Sequence, residues 1–219
     1  MHCTNHSHSS KMTDQMSEIS KTAILHPNVK LGANVVIEDF CIIGVPPKGA
    51  LSGDLETVIG DNSVIRSHTV IYAGNRIGSN FQTGNKANIR ELNEIGDNVS
   101  VGTLSVIEHH VVIEDGVRIH TQVFIPEYSI LKKKSWVGPN VVFTNAPYPQ
   151  SKDVMKNLIG PTLHENAIVG ANSTLLPGVQ IGKDAIVGAG SVVTKDVEAG
   201  TVVAGNPAKF LKKKSDLPY

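Results

Sequence analysis

An apolar residue returns at every sixth position through the middle of this chain, from Ile77 to Phe143. The series is Ile77, Thr83, Ile89, Ile95, Val101, Ile107, Ile113, Ile119, Ile125, Leu131, Val137 and Phe143, and only Thr83 is polar. A period of six fits neither the 3.6 of a helix nor the 2.0 of an alternating strand. It describes a coil of short straight segments joined by tight corners. The residue four places after each apolar one is mostly small or branched (Val99, Ser105, Val111, Val117, Val123, Ser129, Ser135, Val141), which suits a second inward slot beside the corner. Glycine often follows the inward residue, as at Gly78, Gly84, Gly96, Gly102 and Gly138. Backbone angles closed to other residues are the expected reason. Three strands complete a coil, so residues 18 apart should stack in columns at a spacing of about 4.8 Å.

The rhythm also runs through Leu25, Leu31, Ile37 and Ile43, then Ile59, Ile65 and Ile71, and again from Leu163 through Val169, Leu175, Ile181, Val187 and Val193. Two segments break it. Residues 45–57 and 146–161 are rich in proline and read as loops thrown out of the coil. Loops of that length in a compact domain are often functional. Gly74-Asn75-Arg76 reads as a smaller offset. The expected organisation is a disordered polar tail over 1–22, a coil domain over 23–200, and a cap over 201–219 that hides the last coil's edge.

Twenty basic and twenty acidic residues cancel, so no net field favours nucleic acid. Lys132–Lys134 and Lys212–Lys214 read as solvated surface. No apolar run approaches the ~20 residues of a membrane span. The first twenty residues lack an apolar core, so no signal peptide is expected. His2, His6 and His8 read as tail composition rather than metal ligands. The two cysteines, Cys3 in the tail and Cys41 at an inward slot, cannot form a disulfide framework. A reduced, cytoplasmic life is the expectation.

Reading by columns concentrates the chemistry. One column holds Glu91, His109, Glu127 and Asn145, and ends where the second loop leaves the coil. Four polar groups in one line, beside a loop, make a candidate site. A second column holds Lys86, Leu104, Gln122 and Asn140, and a third holds Gly84, Gly102, His120 and Gly138. His110, next to His109, is expected to point elsewhere, and His68 to be structural. Trp136 and Phe143 are candidates for an interface or for the core. Tyr72, Tyr148 and Phe40 are candidates to stack on a planar base.

Several stretches carry a family resemblance: TGNKANIRE (83–91), IGDNVSVGTLSVIEHHVVIEDGVRIHTQVFIPEYS (95–129), WVGPNVVFTNAPYP (136–149), IVGANSTLLPGVQIGKDAIVGAGSVVTKDV (168–197) and VVAGNPAKFL (202–211). They resemble the hexapeptide-repeat acyltransferases, and among these the bacterial dTDP-3-amino-3,6-dideoxyhexose N-acetyltransferases, over about residues 23–212. The resemblance implies an all-β fold, a left-handed parallel β-helix with two protruding loops and a short C-terminal cap. It implies a homotrimer and transfer of an acyl group from acetyl-CoA, or another acyl-CoA, to the amine of a nucleotide-linked amino deoxysugar, with no metal required.

On that resemblance Gln122, Glu127 and Asn145 line the sugar end of the site. Where the family often has Asp after the matching Asn, this chain has Ala146. Glu127 and Asn145 are the expected orienting groups, and His109 the natural base if a side-chain base is used. Glu91, Asn85 and His120 are expected beside the acceptor. A backbone N–H near Gly102 or His120 is expected to receive the oxyanion. Gly170, Ala171, Gly188 and Ala189 would let the pantetheine arm approach, and Lys195 and Lys209 would meet CoA phosphates. Two alternatives stand beside this reading. One is an O-acetyltransferase with an obligatory His base. The other is a zinc hydratase of the β-helix carbonic anhydrase type, using His109, His110 and His120.

Overall fold

The structure, a computed structural model, describes residues 17–218. Most strands are only two residues long, too short to stand alone. They gain stability by stacking into three parallel sheets of eleven, nine and eight strands, the faces of a prism. We call these faces A, B and C in the order the chain visits them. One coil runs Arg118–Ile119 on A, Phe124–Ile125 on B and Ile130–Leu131 on C. Its strands pair with the coil before at Ser100↔Arg118, Val106↔Phe124 and Val112↔Ile130, a register of 18 residues on every face. This is a parallel β-solenoid consistent with the left-handed β-helix.

The core is the hexad column. Ile89, Ile107, Ile125 and Phe143 stack inside face B, fully buried. Each such side chain contributes roughly 1.5–3 kcal/mol by leaving water. Thr83, the polar member, is satisfied: its hydroxyl accepts the Arg66 N–H at 2.9 Å. Cys41 fills its inward slot as a free thiol, and burial pushes that thiol's pKa up. Phe143 is entirely core, which removes it as an interface candidate.

Three expectations need correction. The glycines after inward residues do not hold unusual backbone angles. A side chain at Gly102 would collide with the backbone of His120 and Thr121 in the next coil, so close approach is what excludes one. The left-handed residue comes two places later in each corner, and it is often Asn, as at Asn80, Asn98 and Asn140. Gly74-Asn75-Arg76 does not offset the count: Ile59 pairs with Ile77, and Ile71 with Ile89, in regular register. The tail ends earlier than expected, because Glu18–Ile19 already pairs in parallel with Val36–Ile37. Residues 1–16, with His2, Cys3, His6 and His8, lie outside the described residues.

Both loops leave the same edge, between B and C. The first runs from Val45 to Thr57, the second from Phe143 to Thr162 with one short 3-10 turn at Val154–Lys156. The ladder closes past them: Val29 pairs with Thr57, and Ile130 with Thr162. After the last coil, Lys209–Lys213 folds back antiparallel on Thr201–Ala204 and covers the end of face A.

Inside the BC edge, two buried asparagines replace the usual small residue. Asn75 donates to the carbonyls of Tyr72 and Arg90, both at 2.7 Å. Asn93 donates to the Arg90 carbonyl at 2.8 Å and accepts the Val111 N–H at 2.7 Å. The two join where the Asn93 N–H donates to the Asn75 side chain at 3.0 Å. This amide ladder ties three successive corners together beneath the polar column. Replacing Asn93 by Ala strands buried backbone groups in the corners above and below it. We expect a loss of roughly 2–4 kcal/mol, read as a lower denaturation midpoint in urea.

Candidate functional site

Each BC corner is built alike. Two residues face outward, the third is left-handed, and the fourth turns in. The third positions are Gly74, Leu92, His110 and Tyr128, with φ of 86°, 61°, 57° and 64°. Bulky residues with positive φ are held there by the ladders on either side, and such strain tends to gather where function needs a side chain aimed.

The predicted column forms. Asn145 donates its amide to the Glu127 carboxylate at 2.8 Å, across one coil spacing. Its carbonyl accepts the Ile159 N–H at 2.8 Å, which pins the foot of the second loop. His109 Nε2 stands 3.6 Å from Glu127 Oε1, beyond hydrogen-bond length but within ion-pair reach. Glu91 lies at the other end, largely buried, and Arg90 grips it with two bonds of 2.9 and 3.1 Å. Such paired contacts fix geometry as well as charge.

Sequence reasoning missed part of this cluster. Arg90 also reaches Glu108 at 3.4 Å and lies 4.9 Å from the centre of the Tyr72 ring. His110 does not point away: its Nδ1 meets His109 Nδ1 at 2.8 Å. The two rings sit edge to face, 4.9 Å apart, and Tyr128 flanks both. The available signal was the neighbouring column, where Arg90 and Glu108 stand 18 apart. The left-handed turn at His110 brings its ring back over the corner, and a count by sixes does not report that.

Two carboxylates, Glu91 and Glu108, share one guanidinium here. Burial acts to raise the Glu91 pKa, but its bonds to Arg90 and the charges of Arg90 and His109 bring it net below the ordinary value. Glu108 goes the other way. Burial raises it, Arg90 opposes, and the nearby Glu127 charge adds to the rise.

Other predicted residues lie on the AB edge, at the far side of face B. Asn85 donates to Ser67 at 2.7 Å. Gln122 is exposed in a left-handed corner, with φ 58°. His120 packs on Trp136, ring centres 4.6 Å apart, and burial, helped by Arg118, lowers its pKa. Gly170, Ala171, Gly188 and Ala189 stack on this edge in consecutive coils. Lys195 is not on this edge: it follows the face-B strand Val192–Val193 at the BC corner and borders a hollow of about 430 Å³ with Asp196, Glu198 and Phe210, while Lys209 is exposed on the cap strand. One chain therefore does not join Gln122, Asn85 and His120 to the Glu127 column; the strand at Phe124–Ile125 separates the two edges by roughly 15 Å, at ~3.3 Å per residue. Nor do His109, His110 and His120 converge. Among the described residues no three His, Cys, Asp or Glu side chains group as metal ligands.

None of the hollows described borders Glu127. The hollows described lie on face A, one of about 230 Å³ reaching Gly84, Gly102 and His120, and at the cap. Near the expected oxyanion position, the N–H groups of Gly102 and His120 themselves are engaged, donating to the carbonyls of Ile119 and Val137 at 2.8 and 2.9 Å. Of the stacking candidates, Phe40 packs on His68 and Tyr72 lies beside Arg90, while Tyr148 stands exposed on the second loop.

The fold and this edge define a hexapeptide-repeat β-helix with a carboxylate–imidazole–amide column. Its repeats match the model "Bacterial transferase hexapeptide (six repeats)" over 94–127 and 160–195. It is 27% identical over 195 residues to the "Bifunctional protein GlmU" of Clostridioides difficile strain 630, covering 89% of this chain and 39% of that protein. It is 31% identical over 126 residues to the "Putative acetyltransferase YJL218W" of Saccharomyces cerevisiae, covering 55% of this chain and 58% of the relative. The chain thus spans less than two thirds of these relatives. A solved UDP-N-acetylglucosamine acyltransferase of Francisella novicida shares the fold, with a TM-score of 0.52 at 19% identity, covering 90% of this chain and 71% of the other.

Arg90 holds the sign of the Glu91 shift. With Arg90→Gln only burial remains dominant, so Glu91 should titrate above 4.5 instead of below it. In the native protein the lowered pKa stabilises the fold above about pH 4.5, and that contribution is lost as pH falls through the native value. The variant should therefore be less stable near pH 7, with the gap closing in acid. Carboxyl NMR titration and urea melts at both pH values check this.

Proposed function

We propose that the chain transfers an acyl group, acetyl in the simplest case, from acyl-CoA to the amine of a nucleotide-linked, dTDP-type, amino deoxysugar. The observation that carries this reading is the Asn145–Glu127 contact, with His109 beside it, at the foot of a long loop. An amine acceptor needs an acceptor group to orient its N–H and a donor for a neighbouring hydroxyl. A carboxylate and an amide held together supply both. The family repeats and relatives named as acetyltransferases support acyl transfer.

Most of the rate then comes from placement. Holding amine and thioester in contact supplies about 7–11 kcal/mol of the barrier. Glu127 accepts from the attacking amine, Asn145 fixes a sugar hydroxyl, and His109 takes the proton as base. The second loop, carrying exposed Tyr148, covers the nucleotide. Acyl-CoA lies along the AB edge at Gly170, Ala171, Gly188 and Ala189, where no bulky side chain intrudes, with Lys209, and Lys195 from the BC edge of the next copy, towards its phosphates. Among the described residues the N–H groups of Thr121 and Ala171 have no partner, and either can face the oxyanion. Ala146, where the resembled group often has Asp, leaves a short apolar side chain beside Asn145, so Asn145 and Glu127 are the polar groups that meet the sugar here.

The two edges meet only if a second copy contributes. Face B between them shows an apolar exterior, with Ile42, Val70, Val106, Phe124, Val142 and Val192 on outward positions. A homotrimer about this face would bring the AB edge of one copy to the BC edge of the next, by ordinary cyclic symmetry. The site would then be a cleft between prisms. The His109–Glu127 pair also suits a hydroxyl acceptor. In that reading His109→Ala would abolish turnover of a plain sugar.

Acetyl-CoA mixed with the protein and a panel of dTDP-linked amino sugars should release free thiol; silence across the panel would sink the reading. With the sugar that reacts, Glu127→Gln and Asn145→Ala should each lower kcat/KM by about 10²–10³-fold, with KM for acetyl-CoA unchanged. Sedimentation should give three times the 23.4 kDa chain mass.

A further inference from the structure

His110 is the group at this edge that the acyl-transfer reading leaves unused. It is exposed, held with φ 57°, and turned so that its Nδ1 faces His109 Nδ1 at 2.8 Å. With two imidazole nitrogens at that distance, one donates and the other accepts. The other nitrogen of His109, Nε2, faces Glu127. Glu127, His109 and His110 thus form a line from the polar column to solvent. Tyr128 flanks both rings.

We propose that His110 is the proton outlet of the site, fixing the tautomer of His109 and carrying to solvent the proton that acylation of an ammonium group must release. The inference rests on the reading of His109 as base. The balance is simple: R–NH3⁺ and an acyl thioester give an amide, a free thiol and one H⁺. His109 Nε2 takes a proton from the ammonium while its Nδ1–H donates to His110. That Nδ1 proton crosses to His110 Nδ1, and His110 gives up its own Nε2 proton to water. One proton enters the line and one leaves it, with no net charge stored. The two tautomers reset by exchanging N–H protons with water. The amine then attacks the thioester carbon, the C–S bond breaks, and the sulfur takes the second amine proton.

Glu127 of the next coil stands within ion-pair reach of His109, Glu108 adjoins it in the same corner, and Arg90 binds Glu108 and Glu91 of the coil before. His110 is a positioning residue in this scheme, since it reaches substrate only through His109.

The discriminating variant is His110→Asn. Asparagine tolerates the left-handed corner, as it does at equivalent positions elsewhere in this chain, and keeps a hydrogen-bond partner for His109, but it cannot pass a proton through. Turnover of acetyl-CoA with the reactive dTDP-amino sugar should fall about tenfold near pH 6.5 and approach the native rate above about pH 8.5, where the amine arrives neutral. Both KM values and the melting midpoint should hold, and added imidazole should restore the low-pH rate. A native kcat for His110→Asn across that range, with His109→Gln slow, overturns the outlet and leaves His109 as base. A native rate for His109→Gln overturns both. Independently of turnover, ¹⁵N spectra of the full chain should show Nδ1–Nδ1 coupling between the two rings. Two rings protonated only at Nε2 would also reject the proposal.

Discussion

Between the two loops each coil hands its backbone to the next through hydrogen bonds at a fixed step of 18 residues, and that step is what turns a linear count into columns. Two-residue strands have little pairing energy of their own. They persist because every N–H and C=O in the ladder is matched above and below, and because an unbroken rod of isoleucine and valine fills the prism. Every feature of the BC edge inherits this register. Glu127 and Asn145 meet because a one-coil spacing separates them, and Asn75 and Asn93 bond because they too lie one coil apart.

The edge is stiff for a second reason. Its interior carries polar amides that bond both to their own corner and to the next, so the outward residues stand on a braced backbone. On the outside, Arg90 locks Glu91 and draws in Glu108. Preorganisation of this kind is what lets modest contacts contribute to catalysis, because the groups need not reorganise as charge develops.

Much of this could be read from the residues. The period of six assigned the inward column correctly, and stepping by 18 placed Asn145 against Glu127 before any coordinates. The proline-rich breaks marked both loops within a residue or two. What escaped has a common cause: a column is a one-dimensional record, and it is blind to what happens around the corner. It missed Arg90 and Glu108, one position over. It missed the backward lean of His110, which depends on a positive φ. It assigned the glycines to backbone angle when crowding between coils explains them. The columns kept Gln122 apart from Glu127, and only the resemblance joined them; within one chain a whole strand divides the edges that hold them.

Both loops spring from the corner where B turns into C, and the ladder closes past them: Val29 still finds Thr57, and Ile130 still finds Thr162, with one register shift between Ile43 and Val45 at the foot of the first loop. A corner is a place where chain can be added with at most a local shift in pairing. The scaffold and its recognition elements are therefore separable in evolution. New acceptors can be sampled by exchanging what hangs from one seam, while the rod that carries it stays the same.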